Sequence, residues 1–573
     1  MKPEEKSASW GTLLIGPLVL MTCIDSGLIA LVGALITPLS LYEPDIYGAI
    51  PLWSWVAALL SLVVPIATYS VQLLRRGLSE GLVKWLVVAY VSANVIFLLL
   101  PWSRYPAGYD RWDSWYHLAE ATYVTKTGHT TSTNIYPATH LLLAMFAGST
   151  GIPLRQVFSA APALMSGFFL LSAYAASTWA KIESRQRFLV VLAVSALQIV
   201  PAVFPIAFSF VYIVWIIGFF LALAPQLGRF LLLLILFAAL VITHLLSAIS
   251  VVVGLVAIAI FFGRKSPPLN RFSIVSAVLV LSWIFWFTQA YASPTLVIAD
   301  IISTGTFRSR EYSQILAGVG LSGIGALIVV AEITLARVAA ILLGLPGFVR
   351  GMKSFFARSV TPESMLFSWA GANLIVFLIL GSLFGAGTIG DIVDRFVSYG
   401  LFPVGFLAAY GFVRTSIRQA SRVKRSVLST LVLGCVLAVG QVAYFYPAPG
   451  TARYNWEAGT TDFHGLSWVA DYIPPDKLVA ASNDNSAMLT ALVGRDEATK
   501  LGFTMAMKLP THLGCDPSSD GPPDFMIVTS FDIFVLGRRG DIRQGDLDCV
   551  GRSAQLNTVY DNGALRIFAR RDS

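Results

Sequence analysis

Between Gly108 and Gly151 the chain gathers residues able to hold and move protons: Asp110, Asp113, His117, Glu120, His129 and His140. Three of the six histidines of the whole sequence lie in this stretch. Asp113 and His117 stand four apart and Glu120 three further on, so a helix starting near Trp112 carries all three on one face. A carboxylate oriented by an imidazole is the arrangement of a general base acting on a hydroxyl. The ordinary structural reading is helix capping, with Asp110 or Asp113 bonding the free amides of the first turn. Trp112, Trp115, Tyr116 and Tyr123 interleave with the acids, and such rings both anchor a helix at a membrane surface and stack on sugars.

The elements that must hold these residues are mostly hydrocarbon. The sequence is 56% hydrophobic and 13% charged over 573 residues, with a mean hydropathy of +0.71. That composition predicts an all-α polytopic bundle. Apolar runs able to cross about 30 Å of hydrocarbon begin near Trp10, Ile50, Val83, Val157, Phe188, Ser209, Arg229, Ser247, Phe272, Ser313, Met365, Ser398 and Ser426, giving about thirteen spans. The run after Lys2 and Lys6 is long for a signal peptide and is read as a retained first span. The net charge of +8 lies largely in short turns between spans, at Arg75 and Arg76, 181–187, 264–271, 350–358 and 414–425. Positive charge so placed marks the cytoplasmic side and argues against a nucleic-acid partner.

With the amino terminus cytoplasmic, the polar stretch becomes a large external loop at 102–156, provided that the apolar segment from His140 to Gly148 does not span; it is short for a crossing. Residues 293–312 and 386–397 share the external face. They carry Arg308, Arg310 and Arg395. Arginine there suits a phosphate through paired, charge-assisted hydrogen bonds, or an ion pair with Glu311, Asp391 or Asp394. Asp25, His244 and Glu332 are the main polar groups inside spans, and His244 lines a substrate path or bonds a neighbouring helix.

The composition divides the chain into a transmembrane part, 1–446, and an extracytoplasmic α/β part, 447–573. In the second, WVADYIPPDK reads as a helix stopped by proline, LVAAS and DFMIVTS as strands, and VYDNGALRIFA as a hairpin around Asn-Gly. Cys515 and Cys549 both fall there, where a disulfide is chemically allowed. No cysteine spacing suits a metal.

DRWDSWYHLAEATYVTKTG followed by YPATHLLLAMFAGSTG, supported by DRFVSYGLFPVGFLAAYG and the closing VYDNGALRIFA, resembles the C-type glycosyltransferase superfamily. Within it the pattern is nearest to prokaryotic proteins akin to protein O-mannosyltransferases, aminoarabinose transferases and oligosaccharyltransferase catalytic subunits. The resemblance implies a multi-span membrane enzyme that takes sugar from a polyprenyl phosphate or diphosphate carrier. It implies a carboxylate of the first large external loop, here Asp113 or Asp110, as base. It also implies a basic phosphate contact, best matched by Arg395. Trp112, Glu120, Tyr136, His140, Arg308 and Arg310 complete the expected substrate contacts, with His117 beside the base. A divalent cation, Mg or Mn, held by Asp110 and Asp113 is the alternative to neutralisation of the phosphate by arginine alone. Two spans precede the one leading into the loop, where well-known members have one. The WWDYG-type acceptor motif is absent, which leaves the acceptor open among glycan, lipid and protein. Two other classes fit the composition: a polysaccharide polymerase or ligase, and a non-enzymatic lipid or polysaccharide transporter.

Overall fold

The computed structural model describes residues 10–38, 46–75, 78–105, 113–131, 134, 136–197, 205–222, 227–263, 267–290, 323–384, 390–416, 420–445 and 460–474, and from there on 477, 479–481, 488–489, 492, 504–505, 524–529, 532, 556–563 and 565–570. Among the described residues the helices of eight residues or more are α1 (Trp10–Ile36), α2 (Leu52–Leu74), α3 (Glu80–Arg104), α4 (Asp113–Thr127), α5 (Pro137–Thr150), α6 (Leu154–Trp179), α7 (Arg187–Val194), α8 (Pro205–Leu221), α9 (Leu227–Thr243), α10 (Leu245–Phe262), α11 (Pro267–Ala290), α12 (Gly323–Phe356), α13 (Pro362–Phe384), α14 (Gly390–Ser416), α15 (Ala420–Phe445) and α16 (Thr460–Tyr472). Among the described residues six helices are long and apolar enough to cross a membrane: Leu14–Ile36, Leu52–Leu74, Glu80–Arg104, Leu154–Trp179, Leu245–Phe262 and Thr334–Phe356. Pro205–Leu221, Gly228–Thr243, Asn270–Phe285 and Val427–Ala443 are apolar but shorter. The protein is therefore a mostly helical, polytopic membrane protein.

The run beginning near Phe188, expected as a span, is described as far as Leu197, and residues 198–204 lie outside the described residues. It forms the eight-residue α7, about 12 Å long at helical rise, flanked by tight turns at Ser184–Gln186 and Ser195–Leu197. Every residue from Phe188 to Val194 is buried. Apolar residues read alike whether they face lipid or fill the protein interior, and here they fill the interior.

Two clusters of buried side chains organise the molecule. The larger runs through the bundle, with Tyr69, Tyr90, Phe97, Phe169, Trp369 and Phe402 among its bulkiest members. The second joins Trp115 and Leu118 of α4, Leu143 of α5, Val157 of α6 and Phe208 of α8 to Leu466 of α16 and to Ile527 and Ile567 of a sheet. That sheet contains β1 (Val479–Ala481), β2 (Thr504–Met505), β3 (Phe525–Thr529), β4 (Leu556–Asp561) and β5 (Leu565–Arg570) in the order β2-β1-β3-β5-β4. β1 runs parallel to β2 and β3, and β5 is antiparallel to β3 and β4. Both expected strands and the hairpin are present. Gly563 takes φ +85°, Asp561 Oδ1 accepts its N–H at 2.8 Å, and Asn562 Oδ1 accepts from the Leu565 N–H at 2.8 Å, which is the turn chemistry that Asn-Gly supplies. Cys515 and Cys549 lie outside the described residues.

Candidate active site

α4 begins at Asp113. α5 begins with Pro137 as its first residue and stops at Gly151, whose φ of +70° lets its N–H reach the Ala147 carbonyl at 2.9 Å. At 14 residues α5 is short for a crossing. It packs beside α4 through the second buried cluster.

Between the two helices lies a chain of polar contacts. His117 Nδ1 and His140 Nε2 are 2.9 Å apart, and the two rings stack with centroids 5.1 Å apart. Asn134, in the connection between α4 and α5, puts its Nδ2 2.7 Å from His140 Nδ1 and 3.3 Å from Glu120 Oε2. Thr131 Oγ1 donates to the same Glu120 oxygen at 2.8 Å. Glu120, Asn134 and His140 are buried. Withdrawal from water lowers the His117 pKa to about 4 and takes His140 well below the usual range, the neighbouring His117 adding to the effect. Both imidazoles are neutral at physiological pH.

A second set of contacts ties this layer to the bundle. The Tyr136 ring stacks on His244 with centroids 5.2 Å apart. His244 is the single extended residue between α9 and α10, and its Nδ1 caps α10 by accepting from the Ser247 N–H at 3.2 Å. His244, expected as a polar group inside a span, stands in the break between these two helices. Ser247 Oγ lies 2.7 Å from His244 Nδ1, donates to Tyr399 Oη at 2.9 Å and lies 2.7 Å from Ser209 Oγ. Tyr399 is buried on α14. Arg395 is four residues before it, one turn away on the same helical face.

The expected site residues thus fall into three groups. His117, Glu120, Tyr136 and His140 are brought together or linked by these contacts. Asp113 and Arg395 are placed as helix positions, one turn from His117 and from Tyr399. Asp110, Trp112, Arg308 and Arg310 lie outside the described residues, and so does the test of a divalent ion on Asp110 and Asp113. Among the described residues no three His, Cys, Asp or Glu side chains converge as a metal site. Trp115, read as a ring for sugar or membrane contact, is buried in the second cluster. Asn134, Thr131, Ser209, Ser247 and Tyr399 were not anticipated. Asn134 alone left a signal, a turn-forming residue just before a proline-started helix.

No protein-family model matches the sequence, and no curated protein matches it. Among solved structures, the chain is similar to the crystal structure of ArnT from Cupriavidus metallidurans bound to undecaprenyl phosphate, at 11% sequence identity and a TM-score of 0.44, over 86% of this chain and 98% of that one.

Proposed function

We propose that the protein is a membrane glycosyltransferase that moves a sugar from a polyprenyl-phosphate-type carrier to an extracytoplasmic acceptor. The observation that carries this reading is the continuous run of polar and ring contacts from α4 to α14. It starts one turn from Asp113, passes through His117, His140 and Asn134, continues from Tyr136 to His244 and Tyr399, and ends one turn from Arg395. In an inverting transfer the acceptor and the leaving phosphate meet the anomeric carbon from opposite faces, so a base and a phosphate-binding cation belong on either side of that carbon.

In this scheme Asp113 takes the proton of the acceptor hydroxyl. The freed oxygen attacks the anomeric carbon, the bond from that carbon to the phosphate oxygen breaks with inversion, and the carrier phosphate leaves with the electron pair. Arg395 meets the charge that develops on it, as a preorganised cation does. A divalent ion on Asp110 and Asp113 would serve the same neutralisation.

The same reading sets the topology. The amino terminus is cytoplasmic, the chain crosses about thirteen times, residues 102–156 form the first large external loop, and 447–573 form a soluble extracytoplasmic unit after the transmembrane part at 1–446. The test is Asp113→Asn beside Asp110→Asn in purified protein supplied with carrier-linked sugar. Asn caps a helix about as well as Asp, so abundance should hold while transfer falls at least about a hundredfold at the residue that is the base. Wild-type transfer rates in both variants would remove the mechanism. Movement of labelled carrier lipid without a new glycosidic bond would favour a transporter.

A further inference from the structure

The contacts around Asn134 have a direction. Its Oδ1 accepts the backbone N–H of Tyr136 at 3.0 Å, a donor that cannot become an acceptor, so the amide cannot be turned round. Its Nδ2 therefore faces His140 Nδ1 at 2.7 Å and Glu120 Oε2 at 3.3 Å. An amide nitrogen only donates. His140 Nδ1 must accept, which puts the proton of the neutral ring on Nε2. That proton points at His117 Nδ1, 2.9 Å away, which accepts in turn and leaves the His117 proton on its own Nε2. Reversing either ring would set N–H against N–H at Asn134.

We propose that Asn134 and His140 are positioning residues that fix His117 as a neutral hydrogen-bond donor through Nε2, serving the carboxylate of Asp113 one helical turn before it. This rests on the reading of Asp113 as the base. The consequence is chemical. A carboxylate that accepts a hydrogen bond from a neutral donor stays ionised and aimed. An imidazolium in the same place would bind the carboxylate too tightly for it to take a proton, and an imidazole with a bare Nε2 would compete for the acceptor proton. Enclosure of both rings, which holds them uncharged, is what such a donor requires.

The tautomers can be read without substrate. Solid-state NMR of the full chain in lipid bilayers, with 15N-labelled histidine and with His117→Gln and His140→Gln for assignment, should give both rings neutral at pH 7, protonated at Nε2 and hydrogen-bonded at an unprotonated Nδ1. A proton on Nδ1 of either ring, or a charged ring, would overturn the proposal. In Asn134→Leu the amide that separated Glu120 from His140 is gone, so the carboxylate becomes the acceptor facing His140 Nδ1. Part of the His117 population should then move its proton to Nδ1, and a His117 spectrum unchanged from wild type would overturn the role of Asn134. Kinetically, Asn134→Leu and His140→Leu should lower kcat about tenfold, the loss of one hydrogen bond to a charged group, with KM for the carrier-linked sugar unchanged. His140→Gln, whose amide can accept from Asn134 and donate to His117, should recover most of that loss. Wild-type kcat in both leucine variants would overturn the positioning role while leaving the Asp113 test untouched. The expected tautomers in a chain that transfers no sugar would support the relay and overturn the reading of function beneath it.

Discussion

His117 and His140 are two basic rings that the fold keeps from being basic, and this has a measurable cost in acid. In the unfolded chain an imidazole titrates near its ordinary 6.5, whereas folded His117 does so at about 4 and His140 is displaced in the same direction by burial. Below about 6.5 the unfolded chain therefore binds protons that the folded chain refuses, and linkage makes stability fall as pH drops from there toward about 4, with no effect at higher pH. Thermal unfolding in detergent should show a midpoint level between pH 7 and 8 and falling below pH 6.5. The double variant His117→Gln, His140→Gln should lose much of that slope, and an unchanged slope would assign acid sensitivity to other groups. Arg395 makes a separate claim. If it grips a phosphate, Arg395→Lys should raise KM for the donor and lower turnover although charge is kept, because a point ammonium lacks the planar fork. Kinetics equal to wild type would leave an ion pair with Asp391 or Asp394 as its role.

The elements are positioned by close approach as much as by hydrophobic burial. α14 carries Tyr399 and the Arg395 position, and it lies against α12 where Gly347 and Gly411 face each other. A Cβ added at Gly347 would run into the Leu407 carbonyl, and one at Gly411 into the backbone of Gly347. Small residues let helix backbones meet in this way in a membrane. Arg350 of α12 adds a hydrogen bond of 3.0 Å to the Tyr410 carbonyl and a second to that of Gly411. Gly347→Leu should therefore force α14 outward and destabilise the protein by about 1–3 kcal/mol, the usual cost of overpacking. A thermal midpoint equal to wild type would show that the two helices have room to part. The α9–α10 break works through one residue. His244 in extended conformation ends one helix and caps the next, which brings its ring under Tyr136.

At the scale of the whole molecule, the second buried cluster binds the C-terminal sheet to α4 and α5, so the sheet and the candidate site belong on the same side of the membrane. With all four native cysteines replaced by serine, Asn562→Cys should react with a membrane-impermeant maleimide on intact cells; protection there would reverse the orientation of every proposed external loop. The sequence by itself determined what depends on neighbours along the chain. Hydrophobic runs gave the membrane class, the four-and-three spacing gave one face of α4, and Asn562-Gly563 gave the hairpin, because polarity, helical period and turn preference are local properties. The same locality leaves the surroundings of Phe188–Val194 unread, since an apolar run carries no mark of whether lipid or protein encloses it; the structure buries these residues in the interior. Only the tertiary structure decided what the polar groups touch. His117 meets His140 across 23 positions, and Tyr399 meets His244 across 155. Such pairings depend on the register and rotation of whole helices, which are set by how side chains such as Trp369 and backbones such as those at Gly347 and Gly411 pack, and no stretch of sequence read alone contains that information.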